Sequence, residues 1–196
     1  GLPTKKKLDM LTLEKDLPLD LHMEIASEKA RQTMNVLFDT IKPRMEFTKI
    51  FMALKNAGYK IALASNAVKS TVETALDCLE LRKYFDVIYS NQDVDKPKPH
   101  FEMYFKIMLD LNSKPGETLI LEDSHIGRQA VMDAGCHLLP VIDSYDVKLE
   151  KIEAKLAELN KQIIVKVPWR SSKMNVLIPM AGAGSRFAEA GYTFPK

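Results

Sequence analysis

The chain has 196 residues, of which 46% are hydrophobic and 28% are charged, and its formal net charge is +2. This composition is that of an ordinary globular protein, and the small charge gives no electrostatic reason to expect a nucleic-acid partner. No run of about 18 apolar residues is present to span a membrane. The two cysteines, Cys78 and Cys136, lie in apolar settings typical of packed free thiols, which favours a reducing, cytoplasmic compartment.

The first 42 residues are helical in pattern and contain no strand-like run. Thr4 is placed to cap a short helix that runs to Leu11. Apolar residues at helical spacings predict a longer helix from Leu21 to Ile41. Residues 1–42 are therefore expected to form a small helical unit of their own.

From residue 43 onward, helices and strands alternate. Apolar runs predict buried strands at 61–64, 85–89, 118–121 and 136–142. Amphipathic stretches predict helices at 46–56, 69–78, 100–111 and 126–134. Such alternation predicts a mainly parallel sheet covered by helices on both faces, so residues 43–145 are expected to form an α/β core.

Polar residues follow three of these strands: Ser65 and Asn66 after the first, Lys96 after the second, and Glu122 with Asp123 after the third. The carboxyl ends of parallel strands meet at one edge of a sheet, where ligands bind. Each residue alone is more typical of a turn, a solvated loop or a helix cap. Their occurrence together and in this order predicts a site for phosphate and for magnesium, which prefers oxygen ligands.

The segments ALASN, DKPKP and LILEDS resemble the motifs of the haloacid dehalogenase superfamily, in its branch of phosphoglucomutase-like sugar phosphatases and phosphomutases. The resemblance runs from residue 1 to about residue 143 and implies a three-layer parallel sheet with an inserted helical cap, which residues 1–42 would represent in part. It implies that Ser65 and Asn66 bind the transferring phosphoryl group. Lys96 would steady negative charge, and Glu122 and Asp123 would hold Mg²⁺.

Three nearby residues carry weaker expectations. Lys98 is expected to be exposed, and His100 and His125 are expected to cap helices or contact substrate rather than to catalyse.

The nucleophile implied by the resemblance, the first aspartate of a D-x-D motif on the first and central strand, is missing. Residues 1–4 resemble the start of the cap that follows that strand, so the catalytic carboxylates are expected before residue 1. The chain is then a fragment without phosphatase turnover. Because the absent strand would lie between the strands that end at Ser65 and Glu122, a gap or an abnormal closure is expected there.

The C-terminal part begins with an amphipathic helix and a linker, residues 146–173, in which Trp169 is expected to pack. Residues 174–196 contain a short strand pattern, a loop with Gly182, Gly184 and Arg186, and a final Lys196. This pattern resembles the opening signature of sugar-phosphate nucleotidyltransferases. Glycines let backbone N–H groups approach phosphate oxygens, and the two cations offset the charge of a nucleoside triphosphate.

The resemblance to the haloacid dehalogenase superfamily therefore implies magnesium-dependent phosphoryl transfer, by a phosphatase or phosphomutase, on a small phosphorylated sugar or polyol. The resemblances imply that this unit is part of a bifunctional enzyme that forms nucleotide-linked sugars. Two alternatives stay open. The N-terminal part could be a catalytically inactive scaffold or regulatory module, or the protein could act mainly as a nucleotidyltransferase.

Overall fold

A computed structural model describes residues 2–166 and 175–179, with side chains described as far as residue 160. Its α-helices are α1 Thr4–Lys15, α2 Leu21–Thr40, α3 Met45–Asn56, α4 Lys69–Cys78, α5 Glu102–Asp110, α6 His125–Asp133 and α7 Leu149–Lys166. Its strands are β1 Ile61–Ala64, β2 Val87–Tyr89, β3 Thr118–Glu122, β4 His137–Pro140 and β5 Asn175–Pro179. The expectations for Trp169, Gly182, Gly184, Arg186 and Lys196 lie outside the described residues.

The five strands form one parallel sheet in the order β2-β1-β5-β3-β4. Alternate residues of β1 belong to different cores: Ile61 and Leu63 to one, Ala62 and Ala64 to the other. Helices α3, α4 and α7 supply the first core, whereas α5 and α6 supply the second. Since side chains alternate between the faces of a strand, these cores are the two sides of a three-layer structure. The predicted α/β class is confirmed.

Helix α1 packs on α2, and α2 packs on the core, where Leu37 and the following Ile41 join the cluster that contains α3 and α4. The predicted cap at Thr4 is wrong. Thr4 is the first residue of α1, Pro3 is the capping residue, and no side-chain cap bond forms. The Thr4 hydroxyl instead accepts a hydrogen bond from Nζ of Lys29 on α2 at 2.9 Å, which links the two helices.

Strand β5 occupies the centre of the sheet, between β1 and β3, and its residue Pro179 pairs with Ala64 at the carboxyl edge. The expected gap at this position is therefore closed by a strand from the C-terminal part of the chain. The sequence Asn-Val-Leu-Ile-Pro of β5 carries no carboxylate. The assignment of residues 174–196 to a second domain stays a prediction.

Removing β5 should expose two inner strand edges at once. Unpaired edges capture other chains, so a variant that ends at residue 166 is expected to aggregate or to lose cooperative melting. The matched comparison is the full chain, measured by light scattering and by thermal melting at the same concentration. A truncated variant that remains monodisperse and melts like the full chain would show that β5 contributes nothing to the sheet.

Candidate functional site

The first part of the site is the turn that follows β1. Ser65 is buried, and its N–H donates to the carbonyl of Tyr89 on β2 at 3.0 Å. Its Oγ accepts from the N–H of Ala67 at 3.1 Å. A hydroxyl that accepts from the backbone two residues later fixes a tight turn. Ser65 is therefore held at the carboxyl edge of the sheet, as the sequence predicts.

Asn66 connects this turn to the loop between β2 and α5. Its side-chain Nδ2 donates to the carbonyl of Lys98 at 2.9 Å, and its Oδ1 accepts from the N–H of Lys98 at 3.0 Å. This two-way bond fixes the main chain of Lys98. Asn66 therefore places a lysine beside the site, which the sequence could not show.

Lys98, and not Lys96, is the lysine that reaches the acidic residues. Its side chain is buried, and Nζ lies 3.1 Å from Oε2 of Glu122 and 3.4 Å from the carbonyl oxygen of Ala64. The prediction that Lys98 is exposed is wrong. Lys96 is exposed, and no described residue bonds to its ammonium group. The physical reason is that the clamp from Asn66 turns Lys98 towards the sheet.

Lys96 stabilises the loop before α5 through its backbone N–H group. The carboxylate of Glu102, at the start of α5, accepts from the N–H groups of Asp95 at 3.0 Å and of Lys96 at 2.9 Å. The bond from Asp95, followed by those from Lys106 and Lys96, lowers the pKa of Glu102 to about 2. Nδ1 of His100 accepts from the N–H of Glu102 at 3.1 Å, so His100 satisfies the first N–H of this helix, whose capping residue is Phe101.

Glu122 lies in a closely fitted cradle at the end of β3. Its Oε2 accepts from Lys98 and, at 2.9 Å, from the hydroxyl of Tyr104 on α5. Its Oε1 accepts from Oγ and N of Ser124 at 2.8 and 3.3 Å. A Cβ atom on Gly127 would overlap the Glu122 carboxyl group, so only glycine fits there. Ser124 also caps α6, because its Oγ accepts from the N–H of Gly127.

The two acidic residues differ in their electrostatics. Burial opposes ionisation of Glu122, but the charge of Lys98 and the hydrogen bonds of Ser124 and Tyr104 outweigh burial and lower its pKa. Burial and the adjacent charge of Glu122 raise the pKa of Asp123. Burial, followed by the charge of Glu122, raises the pKa of Tyr104 well above its usual range. Asp123 is therefore a carboxylate whose charge a cation would stabilise.

Arg128 on α6 fixes the main chain beneath this pair. Its Nε donates to the carbonyl of Glu122 at 3.3 Å, and its NH2 group donates to the carbonyl of Val141 at 2.9 Å. The N–H of Val141 also donates to the carbonyl of Glu122. The end of β3 is thus anchored from two sides.

The oxygen donors Glu122 and Asp123 suit a hard cation such as Mg²⁺, which binds through one or two carboxylates and keeps several waters. No group of three or more His, Cys, Asp or Glu side chains that could hold a metal occurs among the described residues. The sequence has a D-x-D once, at Asp93 and Asp95, but in the loop after β2. Asp93 there accepts from the N–H and hydroxyl of Ser90, so it stabilises its own loop.

The profile of the haloacid dehalogenase-like hydrolase family matches residues 1–141. The chain belongs to this family. Among curated relatives, pyrophosphatase PpaX of Bacillus mycoides is 40% identical over 72 residues, which are 37% of this chain and 34% of that protein. PpaX of Bacillus cereus is 29% identical over 117 residues, 60% of this chain and 47% of that protein. The chain thus spans about a third to a half of these pyrophosphatases.

Two solved structures, of a β-phosphoglucomutase and of a putative β-phosphoglucomutase, share the fold of this chain. A β-phosphoglucomutase from Clostridium difficile has a TM-score of 0.68 at 19% identity, covering 83% of this chain and 79% of that one. A putative β-phosphoglucomutase from Thermotoga maritima has a TM-score of 0.60 at 26% identity, covering 81% and 79%. Both likenesses support the three-layer α/β architecture. Within the described residues, no helix has the length and apolarity needed to cross a membrane.

The structure brings Asn66, Lys98 and Glu122 into contact, with Ser65 and Asp123 as their chain neighbours. Sequence reasoning missed Lys98, Tyr104, Gly127 and Arg128. For Tyr104 the only signal is its place on the apolar face of α5, where a buried hydroxyl needs a partner.

Proposed function

We propose that residues 43–145 form the phosphate- and metal-binding part of a phosphoryl-transfer site, in a phosphatase or phosphomutase. The observation that carries this proposal is the buried ion pair between Lys98 and Glu122 at the carboxyl edge of a parallel sheet. Charges are buried only at a cost, so a buried pair beside a second carboxylate is typical of a functional site.

Each residue has a proposed role. Ser65 and Asn66 bind the phosphoryl group, and Lys98 takes the role that the sequence assigns to Lys96, because its ammonium group faces the acidic residues. The acidic pair Glu122 and Asp123 is the place where Mg²⁺ binds, and the ion would neutralise phosphate oxygens. The described residues position and stabilise charge, whereas the family's nucleophilic aspartate has no counterpart on the central strand β5.

The proposed substrate is a small phosphorylated sugar or polyol, supported by the likeness to the putative β-phosphoglucomutase of Thermotoga maritima. Inorganic pyrophosphate is a second candidate, supported by the 40% identity to PpaX over 72 residues. The two free cysteines are consistent with a cytoplasmic protein, which we include in the proposal.

Two proteins test this function. The 196-residue chain should bind Mg²⁺ and inorganic phosphate but should not turn over p-nitrophenyl phosphate, glucose 1-phosphate or pyrophosphate. A variant extended before Gly1 by a strand with D-x-D, able to replace β5, is expected to hydrolyse one of these substrates with magnesium. Asp123→Asn should then reduce its rate by about 10²–10³-fold, as the loss of charge stabilisation does. Turnover by the unextended chain would contradict the proposed need for the family's aspartate. An extended chain without turnover would contradict the proposed function and leave an inactive module.

We also propose that residues 174–196 begin a nucleotidyltransferase, which would activate a sugar 1-phosphate. Support comes from the residue pattern alone: two glycines, Arg186 and Lys196. In a protein that carries the rest of such a domain, Arg186→Ala should weaken binding of a nucleoside triphosphate by about 1.5–3 kcal/mol, the contribution of hydrogen bonds to a charged group. Calorimetry on both proteins measures this difference. Equal affinities would make the glycine loop an ordinary turn.

A further inference from the structure

Strand β2 lies at one end of the sheet. It pairs with β1 on one side, and no strand of the described chain pairs with its outer edge. The N–H and C=O groups along an unpaired edge can bond to another extended chain. The three residues of β2 span about 10 Å, so the partner that fits this edge is a short segment.

A groove lies along this edge, between β2 and α4. Its volume is about 150 Å³, and a cavity of this size holds a molecule as large as benzene. Its apolar lining consists of Val72, Phe85 and Ile88, which belong to the core cluster of α3 and α4 or pack against it. One branched apolar side chain therefore fits into the groove.

Two of the three carboxylates that line the groove are already bonded within the chain. Asp86 accepts from the N–H of Ile61 at 2.7 Å and from the ammonium group of Lys55 at 2.8 Å. Asp93 accepts from the N–H and the hydroxyl of Ser90 at 2.7 and 2.6 Å. Burial opposes ionisation of both groups, but these bonds and the charges of nearby lysines outweigh burial and lower both pKa values. Neither carboxylate needs a further partner.

The two cations of the groove are exposed, and no carboxylate of the described chain forms an ion pair with either of them. Lys69 begins α4 at the carboxyl edge, and Arg82 lies in the turn before β2, so they are at opposite ends of the strand. Lys69 helps to lower the pKa of Asp93, but without a hydrogen bond to it. The third carboxylate, Glu73, lies one turn after Lys69 and is half-buried, so it disfavours an anion in the middle of the groove.

We propose that the edge of β2 binds an extended acidic peptide segment by strand addition. In an extended chain, residues i, i+2 and i+4 share one face and span about 13 Å. Carboxylates at i and i+4 would then face Lys69 and Arg82, and a branched apolar side chain at i+2 would enter the groove. Backbone bonds to the edge supply affinity, and the side chains supply specificity. The inference is independent of the proposed function, because no residue of the phosphoryl-transfer site lines the groove.

Fluorescence polarisation tests this binding, with the full chain and a fluorescein-labelled peptide of nine residues. The peptide has valine at its centre, aspartate two positions to either side and threonine elsewhere, so it presents the same face in both chain directions. Replacing both aspartates by lysine is expected to weaken binding by about tenfold or more, since each exposed ion pair contributes about twofold to fivefold and its reversal is repulsive. Replacing the valine by alanine should weaken binding by about fivefold or more. N-methylation of the three central residues should abolish binding, because it removes the backbone donors.

Charge reversal on the protein gives the complementary test. Lys69→Glu with Arg82→Glu should invert the preference, so that the lysine peptide binds about fivefold or more tightly than the aspartate peptide. Lys5→Glu with Lys6→Glu is the matched control, because it makes the same change in net charge at two exposed lysines of α1. The control should keep the preference of the parent chain for aspartate.

Saturable binding with these preferences would support the proposal. The absence of saturable binding of the aspartate peptide up to about 1 mM would overturn it. Equal affinity for the N-methylated peptide would exclude strand addition, and an inverted preference in the α1 control would reduce the effect to net charge; each result overturns the proposal. If the parent chain sediments as a dimer that Lys69→Glu with Arg82→Glu dissociates, a second copy occupies the edge of β2 and the proposal fails.

Discussion

Replacing Lys98 by methionine is expected to destabilise the fold by about 3–5 kcal/mol, because it leaves the buried carboxylate of Glu122 without its counter-charge. Glu122 is 1% exposed and Lys98 is 6% exposed, so water cannot take the place of the missing ammonium group. The free energy of unfolding, measured with urea, gives the effect directly. Methionine keeps most of the length of the side chain, so the loss reports charge rather than packing.

Lys96→Met is the matched control for this prediction. It makes the same change two residues earlier in the same loop, but at an exposed ammonium group, so its effect should stay within about 0.5 kcal/mol. Equal effects of the two substitutions would contradict the assignment of Lys98 to the buried pair. A large effect of Lys96→Met alone would instead support Lys96, the residue that the sequence favours, as the lysine that faces the acidic residues.

These two lysines show how far sequence reasoning extends. The Pro-rich loop after β2 can be recognised in the sequence, and so can its place at the carboxyl edge of the sheet. The two lysines, however, are separated by a single proline, and residue order carries no information about which side chain is buried. Asn66 decides this through a bond to a backbone 32 positions away. The acidic residues were predictable because they directly follow a run of buried apolar residues in β3.

Strand β5 shows a second limit of prediction from the sequence. Its apolar pattern predicts a strand, and the structure contains one at Asn175–Pro179. The place of this strand at the centre of the sheet was not predictable, because a parallel sheet accepts any apolar strand with a suitable register. Pairing with β1 and β3 satisfies two rows of backbone groups that would otherwise be unpaired. The helices of residues 43–145 were predictable to within one or two residues because their apolar spacing is regular.

Gly127→Ala is the other substitution with a large expected effect. The added Cβ atom would overlap the carboxyl group of Glu122. Lys98, Tyr104 and Ser124 hold that carboxyl group in place, so it cannot move without breaking bonds to all three. We expect a loss of about 3 kcal/mol or more in the free energy of unfolding, the combined cost of overpacking and of disturbing a buried ion pair.

Gly116→Ala provides the control, because a Cβ atom there meets nothing within 4 Å. It should change stability by less than about 1 kcal/mol, and an added methyl group restricts the unfolded chain in both variants. A double-mutant cycle then identifies the cause. In a Glu122→Ala background, which has room for the added methyl group, Gly127→Ala should cost much less, since residues in contact are not additive. If its cost stays the same without the carboxyl group, the strain comes from the helix backbone, and the cradle around Glu122 is not what requires glycine.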